Sequence, residues 1–146
     1  MRILGLDLGS KRIGVAVSDS SETVASPFCV IHRSKSLKHD HQEIARIVRE
    51  EEIEKIVVGL PLTLQGEWGR AAQVASKEVE QLTTVVEVPI VFHDERFTTV
   101  TADRALLEAR MRADARRRVV DKIAAAVMLQ SWLDGQKIAA ERDTNE

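Results

Sequence analysis

Leu4-Gly5-Leu6-Asp7-Leu8-Gly9-Ser10-Lys11-Arg12-Ile13-Gly14-Val15-Ala16-Val17-Ser18-Asp19 is the stretch on which the reading of this chain turns. An apolar strand, Ile3 to Leu8, is interrupted by one carboxylate, Asp7. A tight glycine-bearing turn follows, and then a second strand, Ile13 to Val17. Burying a charge without a partner is costly, so an acid inside an apolar strand binds a cation, meets a basic group or does chemistry. The structural alternative is that Asp7 caps the turn through Gly9 and Ser10.

Working outward, three further strand signals follow the hairpin. Thr23–Ile31 is apolar but broken by Pro27, which places it at a sheet edge or on a bulge. Lys55–Gly59, with Ile56, Val57 and Val58 in sequence, has the continuous β-branched pattern of a buried parallel strand. Val88–His93 repeats that pattern. Between them, Arg33–His41 reads as a solvated connection, with His32, His39 and His41 exposed, and Gln42–Glu51 has helical spacing. Glu67–Thr83 is a second helix, Thr98 or Thr101 starts another that runs to about Arg110, and Arg117–Gly135 is the last, with Gly135 as its stop. Leu60–Gly66 is a structured loop beside a strand end. Three leading strands followed by alternating helix and strand make an α/β domain with a mixed sheet.

At 146 residues the chain is expected to form one domain over 1–138, with 139–146 a polar, frayed tail. A net charge of −2 confines any basic surface to a local patch. One exists: Arg110, Arg112, Arg116, Arg117 and Arg118 crowd together against a single Asp114. The lone Cys29 has no internal disulfide partner and fits a reducing cytoplasm. Asp7 interrupts what would be the apolar core of a secretory signal, and the apolar run Ile56–Leu64 is too short to cross a bilayer, so a cytoplasmic protein with no membrane partner is expected. With two Trp, three Phe and no Tyr, base stacking is not expected to dominate nucleic-acid binding.

Two further acids draw attention. Glu95 follows the strand ending at His93, in His93-Asp94-Glu95-Arg96-Phe97-Thr98-Thr99, and Asp121 sits in a helix apolar round most of its circumference. Ligands of parallel α/β sheets bind outside the carboxyl ends of the strands, where Glu95 lies and where Asp7 and Asp121 can converge. Several carboxylates in one place repel one another unless hard cations gather them. Two Mg²⁺ or Mn²⁺ ions about 3.5–4 Å apart suit phosphodiester hydrolysis. Asp7 would then bridge the ions, with Glu95 and Asp121 completing one coordination sphere each. The competing structural readings are an ion pair of Glu95 with Arg96, and Asp121 favoured by its helix dipole. Asp94 reads as a structural group, and His93 as a packing or hydrogen-bonding one.

Lys11 and Arg12 in the turn, Arg96, Thr98 and Thr99 after Glu95, Arg116, Arg117 and Arg118 one turn before Asp121, and Lys122 beside it are candidate phosphate contacts. Each has a plainer alternative as a solvated charge, a surface ion pair or, for Thr98, a helix cap.

On these residues the chain resembles the YqgF (RuvX) family of the ribonuclease H-like superfamily. The matching segments are Asp7–Asp19, Val58-Gly59-Leu60-Pro61-Leu62 with Gly66, Asp94–Thr99, Asp121–Ala125 and Leu129–Leu133, in family order. The resemblance implies a central five-stranded mixed sheet flanked by helices. It also implies a metal-dependent nuclease with Asp7, Glu95 and Asp121 as its acidic triad. The partners it implies are precursor 16S rRNA at the 5′ end, ribosomal particles, or four-way DNA junctions, the last favouring a homodimer over a monomer. The family often has a glycine-containing loop where this chain has Arg110–Ala115 without one. Two other classes remain open at this stage: an actin-like nucleotide binder, which normally needs two such domains, and a non-catalytic nucleic-acid-binding module.

Overall fold

The computed structural model describes residues 1–63, 65–95 and 113–145, with side chains described except at 113–121 and 143–145. The three N-terminal strands are β1 (Arg2–Leu8), β2 (Arg12–Ser18) and β3 (Ala25–His32), followed by α1 (Leu37–Glu50). Then come β4 (Ile53–Leu60), α2 (Arg70–Leu82), β5 (Ile90–Asp94) and the long α3 (Ala113–Asn145). The strands form one five-stranded sheet in the order β3-β2-β1-β4-β5. β1–β2 and β2–β3 pair antiparallel, β1–β4 and β4–β5 parallel, so the sheet is mixed as expected. β3 is an edge strand. Its register slips so that Val15 pairs Cys29 and Ala16 pairs Pro27, which bulges out Phe28 and frees Pro27 from a ladder bond it cannot make.

Alternation along the strands splits the core in two. Leu4, Leu6, Ile13, Val15, Ile56 and Val58 face α1 and α2 through Ile44, Ile47, Val79 and Leu82. Ile3, Ala16 and Val57 face α3 through Ala125, Met128, Leu129 and Trp132. The second face holds Gly5 and Ala16 on the central strands, and that lack of bulk lets α3 lie close. A β-carbon on Gly5 would stand 2.8 Å from Cβ of Leu129. Lys55 covers the Trp132 ring at 5.5 Å, its stem lying along the same face.

Three expectations change. α1 begins at Leu37 rather than Gln42, because the Ser36 hydroxyl accepts the His39 backbone N–H at 3.1 Å and caps a turn that composition alone marked as polar. His41 is therefore buried, at 2% exposure, not solvated. α3 does not stop at Gly135 but continues to Asn145. Gly135 keeps helical dihedrals, a cost of about 1 kcal/mol relative to Ala, and the helix formers Lys137, Ala139, Ala140 and Glu141 carry the helix onward. The residues from Asp134 to Arg142 are exposed, so this part of the helix stands clear of the sheet. The expected helix between Thr98 and Arg110 lies outside the described residues.

Two acids on the helices are buried, Asp40 of α1 and Glu78 of α2. Asp40 accepts the Ser34 hydroxyl at 2.8 Å and the Ser34 N–H at 3.0 Å, and Glu78 accepts from Arg33 and lies 2.8 Å from Nε2 of His41. Burial alone would raise both carboxyls, but the hydrogen bonds outweigh it and hold both below their ordinary values. A depressed folded-state pKa contributes stability that is present above the unfolded value and lost as pH falls through the folded one. Thermal unfolding temperature should therefore hold from neutrality to about pH 4 and fall steeply below it. Asp40→Asn and Glu78→Gln, each less stable at pH 7, should flatten that acid limb.

Candidate metal centre at the carboxyl edge of the sheet

β1, β4 and β5 run parallel, so Leu8, Leu60 and Asp94 end at one edge. Asp7 sits half-buried one residue before the end of β1, on the α3 face, because it shares the parity of Ile3 and Gly5. Leu6 pairs Val58 and Gly59 pairs His93, which brings Asp7, Gly59 and His93 to adjoining positions across three strands. Glu95, just past β5, folds its carboxylate back over Gly59. A β-carbon on Gly59 would stand 3.1 Å from both Cγ and Cδ of Glu95 and closer still to Oε1. The missing side chain of Gly59 is the space that Glu95 occupies.

α3 runs antiparallel to β1. Ala125 and Leu129 lie over Gly5, and Gln130 reaches the far end of the sheet, accepting the Ala25 N–H at 2.9 Å. Asp121, one turn before Ala125, is thereby carried toward the Asp7 edge. Its backbone belongs to that helix, while its side chain lies outside the described residues. A further link ties the helix to β5. His93 Nε2 lies 3.1 Å from the Ser131 hydroxyl, and burial, more than the nearby Asp94 offsets, keeps the imidazole below its ordinary pKa. His93 thus hydrogen-bonds at the strand end, as its sequence position suggested.

Of the candidate phosphate contacts, Lys11 is exposed in the hairpin turn and Arg12 is half-buried at the start of β2, opposite His32. Lys122 is half-buried on α3. Arg116, Arg117 and Arg118 belong to the first turns of α3, with side chains outside the described residues. Arg96, Thr98 and Thr99 lie outside the described residues altogether.

A cavity of about 590 Å³ opens at this edge, lined by Asp7, Gly59 and Glu95 and continuing to Arg33, Lys77 and Glu78 on the opposite side of the sheet. Trp68, half exposed, packs edge-on against Phe92 with ring centroids 6.3 Å apart and anchors the loop between β4 and α2 beside it. Arg33 and Glu78 were not singled out from the sequence. Glu78 did carry a signal, since it shares an apolar helical stripe with Ala75, Val79 and Leu82.

Among the described residues no group of three His, Cys, Asp or Glu side chains is gathered to hold a metal ion. The described pair, Asp7 and Glu95, offers hard oxygen donors, and the Gly59 cradle gives the second of them a defined seat. That donor chemistry fits Mg²⁺ or Mn²⁺ and does not suit a soft, thiolate-bound metal. Gly59→Ala tests the cradle. The flexible Glu95 side chain can yield to a methyl at small cost, so the thermal midpoint should stay within a few degrees of wild type. A displaced carboxylate should still reduce metal-dependent activity by about 10–100-fold, the scale at which misoriented ligand shells act. Full activity in a folded Gly59→Ala protein would remove Glu95 from the site.

Comparison with known proteins agrees with this architecture. The chain is 46% identical over 138 residues to a protein of Caldanaerobacter subterraneus named "Putative pre-16S rRNA nuclease", covering 94% of this chain and 99% of that one. It is 39% identical over 139 residues to a protein of the same name from Roseiflexus sp., covering 93% and 96%. Among solved structures it superposes on Thermus thermophilus RuvC in complex with a Holliday junction substrate, with a TM-score of 0.57 at 16% identity over 94% of this chain and 96% of that one. That likeness gives the ribonuclease H-like fold. The family model described as RuvX, Holliday junction resolvase, matches residues 1–135, and the chain belongs to that family.

Proposed function

We propose that this chain is a divalent-metal-dependent endonuclease that trims the 5′ end of precursor 16S rRNA, acting as one domain over residues 1–138. The observation that carries the reading is the seat of Glu95 over Gly59, beside Asp7 and on the face crossed by the helix that bears Asp121. Carboxylates brought to one edge repel unless a cation is shared, which is the electrostatic reason for such a cluster. The names of its relatives support RNA as the substrate.

In this reading Asp7, Glu95 and Asp121 hold two Mg²⁺ or Mn²⁺ ions. When bound, such ions supply a water of lowered pKa and charge stabilisation at the leaving oxygen. The chain's own residues do the rest. β1 and β5 fix the two acids at the ends of rigid strands, and His93 with Ser131 ties the β5 end to α3. Lys11 and Arg12 in the turn after Asp7 meet the phosphates of the substrate, Lys122 adds charge beside Asp121, and Arg116–Arg118 draw the backbone in. Arg96 and Thr98 would order Glu95 or take a neighbouring phosphate. No helix among the described residues is long and apolar enough to cross a membrane, and the unpaired Cys29 supports a reducing, cytoplasmic setting where ribosomal particles are assembled.

The family description favours a second substrate, the four-way DNA junction, which would call for a homodimer presenting two sites. The test is cleavage of a labelled precursor 16S 5′-end fragment and a labelled four-way junction, each with Mn²⁺ and with EDTA. Metal-dependent cutting of the RNA alone supports the reading. Cutting of the junction alone reassigns the substrate, and failure to cut either with folded, metal-supplied protein overturns the nuclease reading in favour of a binding module.

A further inference from the structure

Beneath the Asp7 hairpin lies a buried polar cluster that joins three separated parts of the chain. Arg33, at the end of β3, reaches back to the turn that follows Asp7. Its backbone N–H donates to the Lys11 carbonyl at 2.9 Å, and its Nε donates to the Gly9 carbonyl at 2.6 Å. The two remaining guanidinium nitrogens form a bidentate pair with Glu78 of α2, at 2.9 and 2.8 Å. Oε2 of Glu78, which accepts from Arg33 Nη1, also lies 2.8 Å from Nε2 of His41 on α1, and His41 and Glu78 are 2% and 8% exposed. The guanidinium thus bridges two elements: its Nε holds the turn, and its two terminal nitrogens are held by α2.

Within the turn, the Gly9 N–H donates to the Arg12 carbonyl at 3.0 Å, so the same short segment is fastened from inside and from Arg33. Loops are ordinarily the mobile part of a fold, and a glycine-bearing turn more so. A buried ion pair is a poor choice for stability alone, because apolar residues of the same volume do as well. What it supplies here is direction. A planar fork pinned by a carboxylate can aim one N–H at one carbonyl, which a flexible ammonium does not reproduce.

We propose that Arg33, clamped by Glu78 and His41, is a positioning residue that fixes the Gly9–Arg12 turn and through it the orientation of Asp7. This rests on the reading of Asp7 as a metal-holding acid. Arg33 lines the cavity that Asp7 and Glu95 share. It acts through the backbone on either side of the turn and not by touching substrate.

The experiment compares wild type with Arg33→Lys, which keeps the charge and loses the fork, and with Glu78→Gln, which keeps the shape and loosens the clamp. Amide hydrogen exchange at Gly9, read by NMR on the metal-free protein, should be about tenfold faster in both variants, over and above any rise shared with the amides of the β1–β4 ladder that lower global stability brings. Mn²⁺ affinity by calorimetry should fall about tenfold, and kcat should fall by 10–100-fold with KM within about twofold, the scale of a lost orienting partner. A folded Arg33→Lys protein with wild-type exchange at Gly9 overturns the proposal whether or not the protein binds metal. Faster Gly9 exchange with unchanged Mn²⁺ affinity, in a wild type that does bind Mn²⁺, also overturns it, since the turn would then be independent of Asp7. Should wild type bind no Mn²⁺ at all, the reading of Asp7 fails, and the inference about the metal falls with it.

Discussion

Asp7→Asn is expected to abolish metal-dependent cleavage, by about 10³-fold or more, while leaving the protein folded. The substitution removes one unit of negative charge from an edge where Glu95 and the helix bearing Asp121 converge, and it leaves the shape of the side chain nearly unchanged. If the lost cation contacts are worth about 4 kcal/mol in the transition state, three orders of magnitude in rate follow directly. Mn²⁺ binding by calorimetry should weaken in parallel, because a neutral amide cannot offset a divalent charge. Asp7 lies near a strand end, half-buried, and the β1–β2 ladder partner of Asp7 is Gly14, which makes no demand on its side chain. Thermal unfolding within a few degrees of wild type, together with loss of both binding and cleavage, is the expected pattern. Wild-type cleavage by the Asn variant would sink the triad.

Gly5→Val should have the largest effect on stability. Gly5 is covered by α3, and even a bare β-carbon there would meet Leu129 Cβ at 2.8 Å, Leu129 Cδ2 at 3.3 Å and the Ala125 carbonyl oxygen at 3.4 Å. The Leu129 Cβ and the Ala125 carbonyl are fixed to the helix backbone and cannot swing aside, so the helix itself has to move. Overpacking of this kind costs about 1–3 kcal/mol, and the two further methyl groups of Val place the variant at the upper end or beyond. A drop of roughly 5–10 °C in the thermal midpoint corresponds to that range. Gly5→Ala, milder and still folded, should displace α3 enough to reduce cleavage, since Asp121 is carried on that helix one turn before Ala125. Combining Gly5→Ala with Leu129→Gly, which removes the Cβ that stands 2.8 Å away, should cost less than the sum of the single changes, because the second change makes room for the first. Strict additivity would mean the two positions do not share the contact.

The contrast between Gly5 and Gly59 separates folding from chemistry within one sheet. Both glycines lie on the α3 face, one strand apart. At Gly5 the neighbour is the β-carbon of a packed helix residue, so a side chain is paid for in stability. At Gly59 the neighbour is the flexible carboxylate end of the Glu95 side chain, so a methyl acts first on the position of that carboxylate. Both residues stand in strands that read as apolar, and the two roles are indistinguishable until the neighbours are known.

Much of the architecture was legible from local pattern. The acid in an apolar strand marked Asp7, the β-branched run Ile56–Val58 marked a buried parallel strand, and Pro27 marked an edge or a bulge, of which the structure has both. Each of these is decided by a few residues and their own backbone: alternation sets the buried face, and a missing N–H bars a central strand. The order of three strands, then alternating helix and strand, was enough to indicate a mixed α/β sheet. Where local rules compete, they misled. Gly135 can end a helix or be tolerated within one, and the polar run before Gln42 could be connection or capped first turn. What only the tertiary structure decided are the partnerships between distant parts of the chain: Glu95 on Gly59, Leu129 on Gly5, and Arg33 with Glu78 and His41. No periodicity encodes them, because each depends on which surfaces the sheet order and the close approach of α3 bring into contact, and a charge is buried only where that packing has already supplied its partner.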